Sequence, residues 1–432
     1  MRRTGLDSII SAASLRTWLL VCLVSLCAAP GMADQWPRFR GPNGTGISDL
    51  QGLPVAWSED DYEWVVDLPG IGHSSPVIWD DALFLTTAVE DGSRTVHRFD
   101  ALTGEEVWSQ TTRFGTPRIH KKSSLASTTP ALDGERLYVA FADETHQLVM
   151  AYTFDGDVEW TRDLGAYTSQ HGLGVSPIVY GELLVMPNEQ AGESSIVALN
   201  RKSGELVWKH PRPSKEVSYA TPMILDLPDR APQLICLGQP GGLVSLNPLT
   251  GDPIWSTSEM PQRTVSSPVY GNGVIIASSG QGGVGKYLRA VSPTGAGDVT
   301  GTHIRFERLE KEFLNYVPTP IVSGEYLYLW CDRGIVCCVE LPSGRTIWSE
   351  RVGGNYSGSP ISIDGKLYCV SEEGEVVVLA AAPEFQEYGR SPLGDGSHST
   401  PAVANGRLYL RGFQRLVSLR AKAVVEDAGV AP

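Results

Sequence analysis

The stretch Ser399-Thr400-Pro401-Ala402-Val403-Ala404-Asn405-Gly406-Arg407-Leu408-Tyr409-Leu410 carries the unit that decides the fold. A proline follows Ser and Thr, three short-side-chain residues lead to Asn-Gly, and a second apolar run begins at once. Asn-Gly supplies the positive φ angles of a two-residue hairpin, so the stretch predicts two short antiparallel strands. The pattern recurs along the chain. Prolines closely preceded by Ser or Thr, a signature of the Ser/Thr-x-Pro type, stand at Pro76, Pro130, Pro177, Pro222, Pro268, Pro320, Pro360 and Pro401. Their spacing is 40 to 54 residues, and self-similarity at such a period marks a repeat architecture.

Each repeat continues beyond the hairpin. A third strand runs into a Gly with Trp four residues later, as in Gly104/Trp108, Gly156/Trp160, Gly204/Trp208, Gly251/Trp255 and Gly344/Trp348. Four strands per repeat, with no helical periodicity between them, make one blade of a β-propeller. The Gly turns the chain into the fourth strand, and the Trp stands where a ring wedges against the neighbouring blade. A buried aromatic ring removes about 150–250 Å² from water, at most about 4–6 kcal/mol. Trp64, Trp108, Trp160, Trp208, Trp255 and Trp348 are therefore read as blade-docking residues, not as cofactor stackers.

The blade count depends on the chain ends. The eighth copy holds three strands and no Trp, whereas Glu63-Trp64-Val65-Val66-Asp67-Leu68 is a strand without a repeat of its own. Pairing the two closes the ring and removes both open sheet edges. The expectation is an all-β, eight-bladed β-propeller of four-stranded antiparallel blades, its last blade completed by an N-terminal strand. Two blades are degenerate: Phe306 would replace the Trp of the fifth, and Phe385 or Tyr388 that of the seventh.

Residues 1–33 read as a secretory signal peptide, with Arg2, Arg3 and Arg16, an apolar run from Trp18 to Ala29, and Gly31-Met32-Ala33 before the cut. The run is short for a membrane span, and an uncleaved anchor is the alternative. Residues 34–62 form an N-terminal arm, 63–420 the propeller and 421–432 a tail, in a monomer placed in the periplasm or secreted. Removing residues 1–33 takes the net charge from −14 to −16, which argues against a nucleic-acid partner. Cys236, Cys331, Cys337, Cys338 and Cys369 remain, an odd number read as buried strand residues.

Catalytic and metal signatures are missing from the sequence. It has no Cys-x-x-Cys, no His-Glu-x-x-His and no Gly-x-Ser-x-Gly, and Gly280-Gln281-Gly282-Gly283 precedes no helix. Cys337-Cys338 interrupts a plain β-run, so its side chains should point to opposite faces rather than form a vicinal disulfide. The loops before the inner strands are more informative, because they converge on one mouth of the channel. They bring His73, Lys121, His171, Tyr219, Arg263, Tyr316, Tyr356 and His398, a set suited to a polar ligand or a peptide.

Asp100-Ala101-Leu102-Thr103-Gly104 through Trp108 resembles the repeat of the PQQ-like (quinoprotein) β-propeller superfamily, with its BamB-like branch, from about Trp64 to Leu419. Trp36-Pro37-Arg38-Phe39-Arg40-Gly41-Pro42-Asn43-Gly44-Thr45-Gly46 resembles the opening of a planctomycete-type group of exported propellers. The resemblance implies one of two activities: a non-catalytic envelope scaffold that binds envelope proteins or a peptide segment, or a PQQ-dependent alcohol or sugar dehydrogenase. The dehydrogenases hold PQQ with calcium through Glu, Asn and Asp and stack a Trp under it. No matching set is found here, so the scaffold without cofactor or metal is preferred. A carbohydrate-binding propeller is the third reading.

Overall fold

The computed structural model describes residues 35–120, 122–281 and 285–422. The expected signal peptide, Lys121 and most of the tail lie outside them. Eight separate sheets form, one per repeat. Blade 1 shows the plan: Val77–Trp79 is innermost, followed in antiparallel order by Ala82–Ala88, Ser93–Asp100 and Glu106–Arg113. The hairpin between the first two strands of blade 8 turns through Asn405 at φ 53° and Gly406 at φ 69°. Trp64–Asp67 pairs antiparallel with Arg415–Arg420, Trp64 opposite Ser418, and so completes blade 8.

Inner and middle strands are buried on both faces because every blade is sandwiched between two others. Cys337 and Cys338 show this directly. Cys337 packs with Leu288 of blade 5, Cys338 with Val377 of blade 7, and both are free thiols.

The conserved geometry around each proline differs from the sequence signature in one respect. The position shared by all eight copies is the residue immediately before the proline, whereas Val175, Ala220, Pro318 and Gly358 occupy the one before that. The reason is a closed ring of hydrogen bonds. The amide N–H of Ser75 donates to the Thr129 hydroxyl, Thr129 to Ser176, Ser176 to Thr221 and Thr221 to Ser267. Ser267 then donates to Thr319, Thr319 to Ser359, Ser359 to Thr400, and Thr400 back to Ser75. Distances run from 2.9 to 3.3 Å. An inner strand has no strand beyond it, so its amides need another acceptor. A hydroxyl from the next blade supplies one, while the proline holds that residue extended.

The arm answers further inner-edge groups of blades 1, 2, 4, 6 and 7 from below. Trp36 bridges Ile78 of blade 1, Pro37 O accepts from Leu132 N of blade 2, and Asn43 exchanges two hydrogen bonds with Ile224 of blade 4. Ile47–Ser48 runs parallel to Ile361–Ile363 of blade 7. Arg38 donates to Pro222 O and Arg40 to Thr319 O, both at 2.7 Å. Both guanidiniums are buried, and burial pulls each down to about 9. The arm therefore crosses under the ring and touches several of its blades. The Trp36 ring lies against Gly41, where a Cβ would sit 2.6 Å away.

Between blades, each outer-strand Trp covers the Gly of the next repeat. Trp64 lies over Gly104, Trp108 over Gly156, Trp160 over Gly204 and Trp208 over Gly251, at distances that leave no room for a Cβ. Their indole N–H groups donate to the neighbouring turn: Trp64 to Ala101 O, Trp108 to Phe154 O, Trp160 to Arg201 O and Trp208 to Pro248 O. Trp348 likewise reaches Ala382 O. Phe306 covers Gly344. Two positions depart from the expectation. Trp255 donates to Gln233 of its own blade, because Gly297–Asp298 runs alongside it and covers the junction. Phe385 packs back on Trp348, and Tyr388 is half exposed, so neither docks blade 7 onto blade 8. The arm fills that junction instead: Val55 O lies over Gly389, and Tyr62 donates to Pro392 O.

Thr129→Val keeps the shape of the side chain and orphans the Ser75 amide; the expected cost is about 1–3 kcal/mol, with Thr129→Ser close to wild type. Trp160→Ala should cost about 3–5 kcal/mol by opening a cavity. Chemical denaturation of the three variants measures both.

Candidate functional site

The eight hydroxyls of the ring line a cavity of ≈ 300 Å³ in the upper channel. The arm brings Phe39 into this lining, between Arg38 and Arg40, which reach blades 4 and 6. Its mouth is built by the loops before the inner strands of several blades.

Six of the residues singled out from sequence come together there: His73, His171, Tyr219, Arg263, Tyr316 and His398. Tyr356 does not. It is 1% exposed and packs edge-on against Trp330, centroids 5.3 Å apart, in the layer between blades 6 and 7. Its amide donates to Asp332 O, which fixes the loop so that Ser357, not Tyr356, faces the channel. Lys121 lies outside the described residues; its neighbours His120 and Lys122 both line the pocket. His120 shares a loop with Lys122 and was open to the same sequence argument. Phe39 carried no such signal, because nothing local says where the arm crosses.

Two clusters organise the mouth. On one side His171 sits between Ser123 Oγ, 3.2 Å from Nδ1, and Arg263 Nη1, 2.9 Å from Nε2. A guanidinium can only donate, so Nε2 accepts and Nδ1–H donates to Ser123. Arg263 also reaches Glu216 at 3.5 Å, and the Tyr219 hydroxyl lies 2.9 Å from Ser169 Oγ. On the other side Glu372 takes hydrogen bonds from Lys122 at 2.8 Å and Ser357 at 2.7 Å, with His398 at 3.8 Å. Asp332 accepts from the amides of Tyr316 and Val317 and pairs with Lys286, holding the Tyr316 loop.

His171, His73 and His398 are held neutral. Burial, then Arg263 and His120, lower His171 to about 4. Burial, with His398 and Arg411 behind it, puts His73 well below its ordinary value. Burial lowers His398 even though Glu372 pulls the other way. Burial also lifts the Tyr219 hydroxyl to about 12. At neutral pH the mouth thus presents these three neutral imidazoles beside phenols, and Lys122 and Arg263 are the cations among its described lining residues.

PQQ with calcium is a poor fit to this lining. Among the described residues no carboxylate and no tryptophan faces the cavity, and no group of three His, Cys, Asp or Glu side chains is placed to hold a metal. No chemistry through that group follows from these side chains.

A family model described as "Outer membrane protein assembly factor BamB" matches residues 92–350, more than half of the chain. The BamB protein of Francisella salina is 26% identical over 188 residues, 43% of this chain and 32% of that protein. This chain therefore spans about a third of the Francisella relative. The BamB protein of Shewanella oneidensis is 20% identical over 304 residues, 68% of either chain. Among solved structures, BamB from Moraxella catarrhalis superposes with a TM-score of 0.58 at 16% identity, over 84% of this chain and 99% of that one. Quinohemoprotein alcohol dehydrogenase from Comamonas testosteroni gives 0.62 at 14% identity, over 92% and 82%. At such identities these structures share the fold alone.

The histidines set a pH dependence. Unfolded imidazoles bind protons near 6.5 that His73, His171 and His398 refuse in the fold. Above 6.5 none of the three carries a penalty; below it the unfolded chain gains protons that the fold refuses and stability falls, for His171 down to its folded value of about 4. The midpoint of thermal unfolding should decline across that window, and less steeply in His171→Gln.

Proposed function

The chain belongs to the family of the outer membrane protein assembly factor BamB, and from that premise we propose that it is a non-catalytic binding scaffold of the cell envelope. Its binding site is the channel mouth, which receives a segment of an envelope protein or a polar ligand. The observation that carries this reading is the pocket at that mouth. A polar, hydroxyl-rich cavity lined by Phe39 and rimmed by His, Tyr and Arg side chains held by partners suits recognition. The rim is also preorganised, since Arg263, His171 and Lys122 are fixed by partners before any ligand arrives.

The same lining supports a scaffold over an enzyme. No pair of facing carboxylates and no base-activated nucleophile is assembled among the described lining residues. His171 contacts Ser123, but its other nitrogen accepts from Arg263, and a cation there opposes the imidazolium that a general base must form. Placement in the envelope accords with the sequence reading of residues 1–33, and no helix among the described residues is long and apolar enough to cross a membrane. The acidic charge of −14 disfavours nucleic acid as partner.

Photo-cross-linking tests the reading. A benzophenone amino acid at Tyr219 or Tyr316 should yield adducts with envelope components, whereas one at Asp226, on the opposite face, should not. Adducts from Asp226 alone would move the site. Bound-quinone absorbance with alcohol-dependent dye reduction, on adding PQQ and Ca²⁺, would replace the scaffold with a dehydrogenase.

A further inference from the structure

The hydroxyl ring at the base of the pocket has a polarity. Each of its eight oxygens accepts an amide N–H, which uses acceptor capacity and leaves the O–H proton free to donate. None of these protons has an acceptor among the described residues, and the side chains line the lumen. The cavity base is therefore a circle of donors. Above it stand Lys122 and Arg263, the cations among the described lining residues, and no described carboxylate belongs to that lining. A surface made of donors and cations is complementary to an acceptor-rich anion.

The charge balance narrows the anion. Lys122 and Arg263 are each answered from outside the lining, by Glu372 at 2.8 Å and Glu216 at 3.5 Å. Among the described residues these two cations and two carboxylates balance, so the attraction comes mainly from the donors, which suits a monoanion and disfavours a dianionic phosphate. Phe39, Val265, Val317 and the Tyr219 and Tyr316 rings supply apolar walls for a carbon skeleton. We propose that the pocket binds a carboxylate carried on an apolar or aromatic body, its oxygens taking hydrogen bonds from the hydroxyl ring beneath the Lys122–Arg263 rim. The proposal rests on the channel mouth being the binding site and adds the chemistry of what enters it. Two sources carry that group: a free organic acid, or the C-terminus of a peptide.

Calorimetric titration of the purified protein with benzoate and with benzamide, its neutral isostere, tests this. Benzoate is expected to bind at least about tenfold more tightly, the share of one charge-assisted hydrogen bond. Lys122→Gln, at a half-exposed position, should reduce that preference several-fold, and Arg263→Gln should reduce it further. A circular-dichroism melt checks that each variant is folded. Phenyl phosphate should bind more weakly than benzoate. A phenylalanine-terminated tripeptide, free acid against C-terminal amide, separates the sources: preference for the free acid assigns a peptide terminus, and binding of benzoate alone assigns a small acid. Equal binding of benzoate and benzamide, a preference that survives both substitutions, or tighter phenyl phosphate would overturn the proposal. Mouth-specific cross-links persisting with no carboxylate preference would remove this inference and leave the scaffold standing.

Discussion

Eight innermost strands converge on one axis, and all but that of blade 7, which the arm strand Ile47–Ser48 joins, are sheet edges facing no other strand. That constraint governs the molecule. Edge amides in so narrow a space must be satisfied without adding strands, and the ring of Ser and Thr hydroxyls does it, each blade serving its neighbour. Because the ring closes from Thr400 to Ser75, it ties the last repeat to the first at the axis. Trp64 in blade 8 does the same at the rim, where its indole covers Gly104 of blade 1. The circle is fastened twice, at its smallest and near its largest radius.

The same hydroxyls connect fold to function. Their accepting side is spent on structure, and their donating side faces the lumen. The arm joins the lining of that lumen: Arg38 and Arg40 reach carbonyls of blades 4 and 6, and the chain between them brings Phe39 into it. Burying two guanidiniums is costly, and here carbonyl acceptors offset that cost without a neutralising carboxylate in contact. The arm's last residues then fill the junction between blades 7 and 8 where no outer-strand aromatic does.

How far residues announced their places varied with the range of the force acting on them. Asn405-Gly406 and the Gly/Trp pairs act within one repeat or between adjacent ones, so the repeat period exposes them. Cys337 and Cys338 separate into two layers because strand alternation is local geometry. Tyr356 was misplaced because one backbone bond to Asp332 O, from the neighbouring loop, turns its loop and sends the ring inward. Trp255 departs from its counterparts because an insertion after the third strand of the next blade covers it. Neither event leaves a trace in the spacing of motifs.

The repeat alone thus determined an eight-bladed ring, the strand that closes it and the face on which the loops gather. These follow from short-range rules of turn chemistry and side-chain alternation, repeated eight times. Tertiary structure decided the rest: that the hydroxyl before each proline serves the amide of the blade before it, that the arm crosses under the ring, and that six mouth side chains share one pocket with the hydroxyl ring. Those outcomes depend on groups hundreds of residues apart meeting on an axis, and only closure of the ring brings them within hydrogen-bond distance.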